Sequence, residues 1–167
     1  MELHVLRHGL AAERGAKGYD DDSLRPLTPA GRAKTLEVAR GLKNLGFKWD
    51  IVWTSPFVRA RQTAEIVAQA YGLPKKNLRE TDALIPTASL KQLGEILSQF
   101  PNAAAQLIVG HEPHLSTMVG EIIGAGGAFN VDFKKAGLII VELTRLSPLP
   151  AGILTAYLPP KVLRSFA

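Results

Sequence analysis

The chain has 167 residues, 46% of them hydrophobic and 21% charged, with a net charge of +5 and no cysteine. This length and balance predict one globular domain over residues 1–167. The lack of cysteine excludes disulfide scaffolds, thiolate metal sites and thiol nucleophiles. No apolar run reaches the roughly 20 residues of a membrane span. The N-terminus also lacks the order of charges of a signal peptide. We therefore expect a cytoplasmic protein with no membrane partner.

The basic residues are dispersed along the chain rather than clustered in one run. A nucleic-acid binder would need a contiguous basic face and aromatic side chains for stacking, and aromatic residues make up only 7%. We expect no nucleic-acid partner. A pocket in which a few cations bind an anion accounts better for the charge.

Apolar runs predict strands that alternate with helices. A long polar loop over residues 10–26, with an acidic cluster at Asp20, Asp21 and Asp22, follows the first strand. Capping residues followed by proline, at Thr28-Pro29 and at Ser55-Pro56, predict the starts of two helices. Residues 78–84 are ambiguous between strand and loop. The predicted strands are 2–6, 50–53, 105–109, 137–143 and 153–158, and the predicted helices are 28–46, 55–70, 90–100 and 113–123.

This alternation predicts an α/β fold. We expect a three-layer sandwich with a mixed, mostly parallel central sheet flanked by helices. Ligands of such sheets bind beyond the carboxyl ends of the strands. Three polar motifs of this chain follow predicted strands, so these motifs are the candidates for a functional site.

The first motif is Arg7-His8-Gly9, at the end of the first strand. An imidazole can attack phosphorus when its other nitrogen is held by a fixed acceptor. The glycine would allow a close approach of backbone and ligand. The tripeptide alone is equally consistent with an exposed basic loop.

The second motif, Ser55 to Thr63, joins a strand to the start of a helix. Free N–H groups at a helix start favour an anion. Arg59 lies in the first turns, where a guanidinium could hold two phosphate oxygens. We interpret Arg61 as a solvated surface residue, Ser55 as an N-cap and Thr63 as a hydroxyl bonded back to its own helix.

The third motif, Val109 to Pro113, again joins an apolar strand to a helix. His111 would supply one more hydrogen-bond donor toward an anion. A neighbouring phosphate would favour its charged form.

Together R-H-G, S-P-x-x-R-A-x-Q-T and G-H resemble the histidine phosphatase superfamily, which includes the phosphoglycerate mutases. The segment R-P-L-T-P-A-G (25–31), the form S-P-F-V-R-A and V-G-H-E-P-H resemble its SixA-type branch of phosphohistidine phosphatases. The resemblance covers residues 1 to about 143. It implies the phosphoglycerate mutase-like fold.

The resemblance also implies roles for individual residues. His8 would be the nucleophile, and Arg7, Arg59 and His111 would bind the phosphoryl oxygens. Two fixed cations and a histidine can neutralise the charge that spreads over those oxygens. Because the arginines take the part that magnesium plays in other phosphoryl transferases, we expect no metal and no cofactor. The histidines and carboxylates also lack zinc-ligand spacing.

Many members of the superfamily carry a glutamate that protonates the leaving oxygen. No such motif is clear here, where Glu80 and Asp82 are the candidates and ordinary loop carboxylates are an equal interpretation. A phosphorylated imidazole has a leaving group with a pKa near 6.5 and needs less help from an acid. The chain also lacks long insertions that would cover a sugar phosphate, so an open site would admit a phosphorylated protein in signal transduction.

Three hypotheses remain open from the sequence. The first is a SixA-type protein phosphohistidine phosphatase, the second a small-molecule phosphomonoesterase or mutase with a working acid, and the third a non-catalytic phosphate-binding module. The sequence does not determine the physiological substrate, the oligomeric state or the role of the C-terminal residues 158–164.

Overall fold

The computed structural model describes residues 1–167 and contains one six-stranded sheet. The strands lie in the order β3-β2-β4-β1-β5-β6. The first four positions are parallel neighbours, whereas β5 pairs antiparallel with both β1 and β6. The strands are β1 (Glu2–Arg7), β2 (Ile51–Thr54), β3 (Leu78–Glu80), β4 (Ala105–Gly110), β5 (Leu138–Arg145) and β6 (Ala151–Leu158).

Helices cover both faces of this sheet. The helices are α1 (Pro29–Asn44), α2 (Val58–Tyr71), α3 (Leu90–Leu97), α4 (His114–Ile122) and α5 (Pro160–Arg164). No helix combines the length and the apolar character that crossing a membrane would require. The predicted α/β sandwich with a mixed, mostly parallel sheet is confirmed.

Strand alternation divides the core into two clusters. Leu3 and Val5 of β1 pack on the side of α3 and α4, while Leu6 packs on the side of α1, α2 and α5. Successive side chains of a strand point to opposite faces, so a strand covered on both sides reads as a continuous apolar run. This explains why the buried strands were visible in the sequence.

Some predicted boundaries are wrong. The second helix begins at Val58 and not at Ser55-Pro56, and β6 begins at Ala151 rather than residue 153. The third helix ends at Leu97, three residues before the predicted end. Residues 78–84 resolve into the edge strand β3 and a 3₁₀ turn.

The C-terminal residues form the short helix α5 against α1. Leu163 is fully buried, and a Cβ on Gly41 of α1 would lie 1.9 Å from the Leu163 carbonyl oxygen. Glycine at position 41 is therefore required for this close approach. The tail therefore packs back on the domain.

Candidate active site

The carboxyl ends of β1, β2 and β4 meet at one edge of the sheet, where they border a cavity of about 400 Å³. Because β1 and β4 are parallel neighbours, Arg7 lies in register with Gly110, and the following histidines come together. The ring centroids of His8 and His111 are 5.2 Å apart. The structure thus brings all four predicted residues to this cavity: Arg7, His8, Arg59 and His111.

Two hydrogen bonds orient the imidazole of His8. Its Nδ1 lies 2.7 Å from the carbonyl oxygen of Gly9, and its Nε2 lies 3.3 Å from Nε of Arg59. A carbonyl oxygen can only accept and a guanidinium N–H can only donate. We therefore assign the ring proton to Nδ1 and the lone pair to Nε2. The imidazole has a fixed tautomer whose Nε2 lone pair faces Arg59 in the cationic part of the cavity.

Burial also keeps His8 uncharged. Only 6% of the residue is exposed. Burial lowers its pKa to about 3, the hydrogen bond to Gly9 opposes this shift, and the positive charges of Arg59, Arg7 and Lys135 lower the pKa further. At neutral pH the ring is neutral, as a nitrogen nucleophile must be.

The guanidinium of Arg59 is held by Asp22. Its Nη1 donates to the backbone oxygen of Asp22 at 2.6 Å, and its Nη2 donates to carboxylate Oδ2 at 2.9 Å. Arg59 itself is 3% exposed. These bonds leave its Nε pointing at His8, so the loop residue fixes the direction of the cation.

Asp22 in turn lies among three arginines, since Arg14 and Arg25 also donate to its Oδ1. Burial would raise the pKa of Asp22, but the hydrogen bond from Arg25 and the charges of Arg59 and Arg25 hold it at about 2. The carboxylate is ionised throughout the physiological range. The sequence showed the acidic cluster in this loop but not its partner, which is 37 residues away.

Ser55 was predicted to be the N-cap of the second helix. The structure shows that it contacts His111 instead. Its Oγ lies 2.9 Å from Nε2 of His111 and accepts the Phe57 N–H at 3.3 Å. The N-cap of α2 is Phe57, without a side-chain cap bond. The Ser55 hydroxyl can donate to Nε2 of His111, and in that arrangement the ring proton is on Nδ1. That buried Nδ1 has no acceptor among the protein atoms.

Burial and nearby positive charge also affect His111. Burial lowers its pKa to about 2, with a further contribution from Arg59. In this form His111 is a neutral donor, and the charged form expected beside a bound phosphate stays a prediction.

Arg7 is the last residue of β1, and its Nη1 donates to the carbonyl oxygen of Phe133. Its Nε is buried and has no acceptor in the protein. Burial lowers its pKa, yet an arginine stays charged at any ordinary pH. Arg7 therefore offers a charged donor at the cavity that no protein carbonyl uses.

Gly9 is required by packing between the strand end and α1. A Cβ at this position would lie 2.3 Å from Oγ1 of Thr35 and 3.3 Å from Leu27. The Gly9 N–H donates to Oγ1 of Thr63, which itself donates to the Arg59 carbonyl as predicted. The close approach at Gly9 is therefore made by α1, where the sequence had suggested a ligand.

Neither predicted acid lies at the cavity. Glu80 ends the edge strand β3, three positions from β1 in the sheet, which corresponds to about 14 Å. Asp82 begins the 3₁₀ turn that follows. The carboxylates that line the cavity are Glu13 and Glu112, and Glu112 is the neighbour of His111 in the third motif.

No group of three or more histidine, aspartate or glutamate side chains is arranged to hold a metal ion. The donors that converge on the cavity are instead guanidinium groups and an imidazole. Such a set suits the oxygens of a tetrahedral anion rather than a cation.

Comparison with known proteins agrees with this donor set. Residues 3–85 match the model of the histidine phosphatase superfamily (branch 1). The chain is 38% identical over 141 residues to an uncharacterized protein of Picosynechococcus sp., covering 83% of each. It is 32% identical over 124 residues to the phosphohistidine phosphatase SixA of Escherichia coli, covering 73% of this chain and 74% of SixA.

A solved structure of the protein histidine phosphatase SixA complexed with tungstate superposes with a TM-score of 0.83 at 28% identity. The match covers 98% of this chain and 99% of that one. The sequence match to SixA covers 73% of the chain and the structural match 98%, and the chain therefore belongs to the SixA-type branch of the histidine phosphatase superfamily and is a phosphatase.

Proposed function

We propose that this protein is a phosphohistidine phosphatase that removes the phosphoryl group from a protein through an intermediate on His8. The observation that carries the proposal is the pair of hydrogen bonds that fixes the His8 ring. They direct a neutral, unprotonated Nε2 toward Arg59 in a cavity of phosphate-binding donors.

The first step is an in-line attack of His8 Nε2 on phosphorus. A bond between Nε2 and phosphorus forms while the bond to the leaving nitrogen breaks, and that nitrogen leaves with the electron pair. Arg7, Arg59 and the Nδ1–H of His111 would bind the phosphoryl oxygens, whose charge is highest in the transition state. The carbonyl of Gly9 stabilises the positive charge that forms on the His8 ring.

The second step returns the enzyme to its starting state. Water attacks the phosphorus, the bond to Nε2 breaks, and His8 recovers its lone pair as inorganic phosphate leaves. The phosphoryl oxygens stay on the same donors, so one binding site serves both transfers.

The absence of the two predicted acids, Glu80 and Asp82, from the cavity lining supports phosphohistidine as the substrate. Glu80 and Asp82 do not line the cavity, so neither can protonate a leaving alkoxide there. An imidazole is readily protonated by solvent near neutral pH and leaves without a dedicated acid. The likeness to SixA of Escherichia coli supports the same substrate class.

A substrate panel tests the proposal. We expect the enzyme to hydrolyse a phosphohistidine peptide and a phosphorylated histidine-containing domain with a kcat/KM at least about 100-fold above that for sugar phosphates. This ratio corresponds to a difference of about 2.7 kcal/mol in activation free energy. Good turnover of sugar phosphates with no turnover of phosphohistidine would overturn it.

Activity that survives EDTA would support metal independence. A cytoplasmic location and a role in signal transduction belong to the same proposal, and cell fractionation tests the location.

Acid–base quenching tests the intermediate. Labelled substrate should leave an acid-labile, base-stable label on His8, and the other three histidines, His4, His111 and His114, serve as internal controls after peptide mapping. His8→Ala should carry no label. Phosphate binding without any label on the wild-type chain would favour the non-catalytic module.

A small-molecule phosphomonoesterase is the second candidate, favoured by the carboxylates of Glu13 and Glu112 in the cavity lining. It predicts that Glu112→Gln lowers turnover of alkyl phosphates about 100-fold, as loss of a general acid does. Glu80→Gln is the matched control outside the cavity. Equal effects of the two changes would count against this candidate.

A further inference from the structure

A second cavity of about 220 Å³ adjoins the one that holds His8. The two share Leu10 and Lys135 in their linings, so they lie next to each other. Its other walls come from α1 and α5. A group bound there would lie on the same molecule whose phosphoryl group is at His8.

Three cations line this second cavity, one from each of three separate segments. They are Lys34 of α1, Lys135 before β5 and Arg164 of α5. Lys34 and Lys135 have no carboxylate within 4.0 Å, whereas Arg164 pairs with Glu37 at 3.5 Å. Because like charges held together repel, an anion bound among them would be stabilised.

The backbone fixes the position of Lys135. Ala136 has a φ of +60°, and its N–H lies 3.0 Å from the Arg7 carbonyl oxygen and 3.2 Å from that of His8. A left-handed conformation at a residue other than glycine persists where its surroundings enforce it. Lys135 is therefore anchored to the end of β1, next to the nucleophile.

The charge of Lys135 interacts with groups that line the cavity around His8. Burial lowers the pKa of Lys135, and the positive charges of Arg7 and Arg25 lower it further. Lys135 in turn contributes to the low pKa of His8. The charges that line the two cavities therefore interact with one another through Lys135.

The apolar part of the lining indicates what kind of anion fits. Leu10 is 37% exposed and forms, with the half-buried Pro160, an apolar floor beside the buried Val38 and Ala136. A carboxylate on a short aliphatic stem can place its methylene groups on such a floor and its charge among the lysines. Inorganic phosphate alone would gain nothing from it.

We propose that the cavity between α1, α5 and Lys135 binds an acidic side chain of the phosphoprotein substrate, close to its phosphohistidine. This inference rests on the proposed function. It gives the C-terminal helix α5 a role in substrate selection, through Arg164.

Two matched phosphohistidine peptides test the inference. One carries Glu and Asp around the phosphohistidine and the other carries Gln and Asn at the same positions. The wild-type chain should prefer the acidic peptide by about tenfold in kcat/KM at low salt, and high salt should remove the preference. Lys34→Glu, and Lys34→Glu combined with Arg164→Glu, should abolish or reverse it.

Arg40→Glu is the control, because Arg40 is an exposed residue of α1 that does not line the cavity and makes the same change of charge. It should keep the preference. Circular dichroism and the Tm confirm that each variant is folded. Equal hydrolysis of both peptides by the wild-type chain overturns the inference and leaves the proposed function intact. Hydrolysis of neither peptide overturns the proposed function itself.

Discussion

Asp22 accepts two hydrogen bonds from the guanidinium of Arg59, one at its backbone oxygen and one at its carboxylate. The two residues are 37 positions apart, and their contact closes the long loop after β1 over the cavity. Because the carboxylate holds the Nη side of the guanidinium, the Nε side is directed at His8. Asp22 is thus a positioning residue for the cation beside His8.

Asp22→Asn should lower kcat by about 10- to 100-fold with a smaller change in KM, as is typical when a catalytic group loses its orientation. The measurement is steady-state kinetics with a phosphohistidine peptide. Asp21→Asn is the control, since the Asp21 side chain caps the neighbouring 3₁₀ turn and does not contact Arg59. Equal kinetics for the two variants would show that Asp22 does not position Arg59.

Ser55→Ala should release the ring of His111. The variant removes the contact between Ser55 Oγ and Nε2 and leaves the Phe57 N–H without its side-chain acceptor. We expect a loss of about tenfold in kcat, together with about 1–3 kcal/mol of stability for the buried groups left unpaired. Kinetics and urea unfolding measure the two effects.

Ser116→Ala is the matched control for that change, because its hydroxyl bonds the Pro113 carbonyl at an exposed position. It should alter neither quantity. If Ser55→Ala costs stability but leaves kcat unchanged, then Ser55 serves packing and does not orient His111.

Gly9→Ala should destabilise the fold by about 1–3 kcal/mol, the cost of overpacking a tight contact. The new methyl group would meet Thr35 Oγ1 at 2.3 Å. Thr35→Ala removes that atom, so the double variant should be more stable than the two single changes predict. Urea unfolding of the cycle measures the coupling.

Gly127→Ala provides the comparison for Gly9, because a Cβ there meets nothing within 4 Å and its φ is not positive. Its cost should be close to zero. Additive effects at Gly9 and Thr35 would mean that the close contact does not limit position 9.

Stability should fall as the pH is lowered below about 6.5. Burial lowers the pKa of His8 to about 3 and that of His111 to about 2. Between those values and about 6.5, the unfolded chain binds protons that the folded chain does not. The contribution of these neutral histidines is therefore complete above about pH 6.5 and is lost progressively toward acid, by up to about 1.4 kcal/mol per pH unit for each.

His8→Gln should reduce this slope, because it removes one of the groups that titrate only on unfolding. The free energy of unfolding at pH 7.5, 6 and 5 measures it. Lys91→Gln, on an exposed part of α3, should keep the wild-type slope. An unchanged slope in His8→Gln would mean that His8 is protonated in the folded protein as well.

Much of the site could be predicted from the sequence because its backbone follows local rules. The strands β1 and β4 end at or just before Arg7, His8 and His111. Both strands are buried on both faces, so they appear in the sequence as short apolar runs that stop abruptly. Parallel strands bring their carboxyl ends to one edge. The motifs at those ends were therefore expected to meet, and the structure places them around one cavity.

Periodicity and composition also determined the α/β class and the approximate helix positions. What they left open were the contacts between distant segments. The bonds from Asp22 to Arg59, from Ser55 to His111 and from Ala136 to the end of β1 each join loops that carry no periodic pattern. Only the folded chain decided that Ser55 holds a histidine, that Glu80 and Asp82 lie away from the cavity, and that Lys135 lies beside His8. The physical reason is that strands and helices follow from local alternation, whereas a side chain's partner depends on where the tertiary packing places the loops.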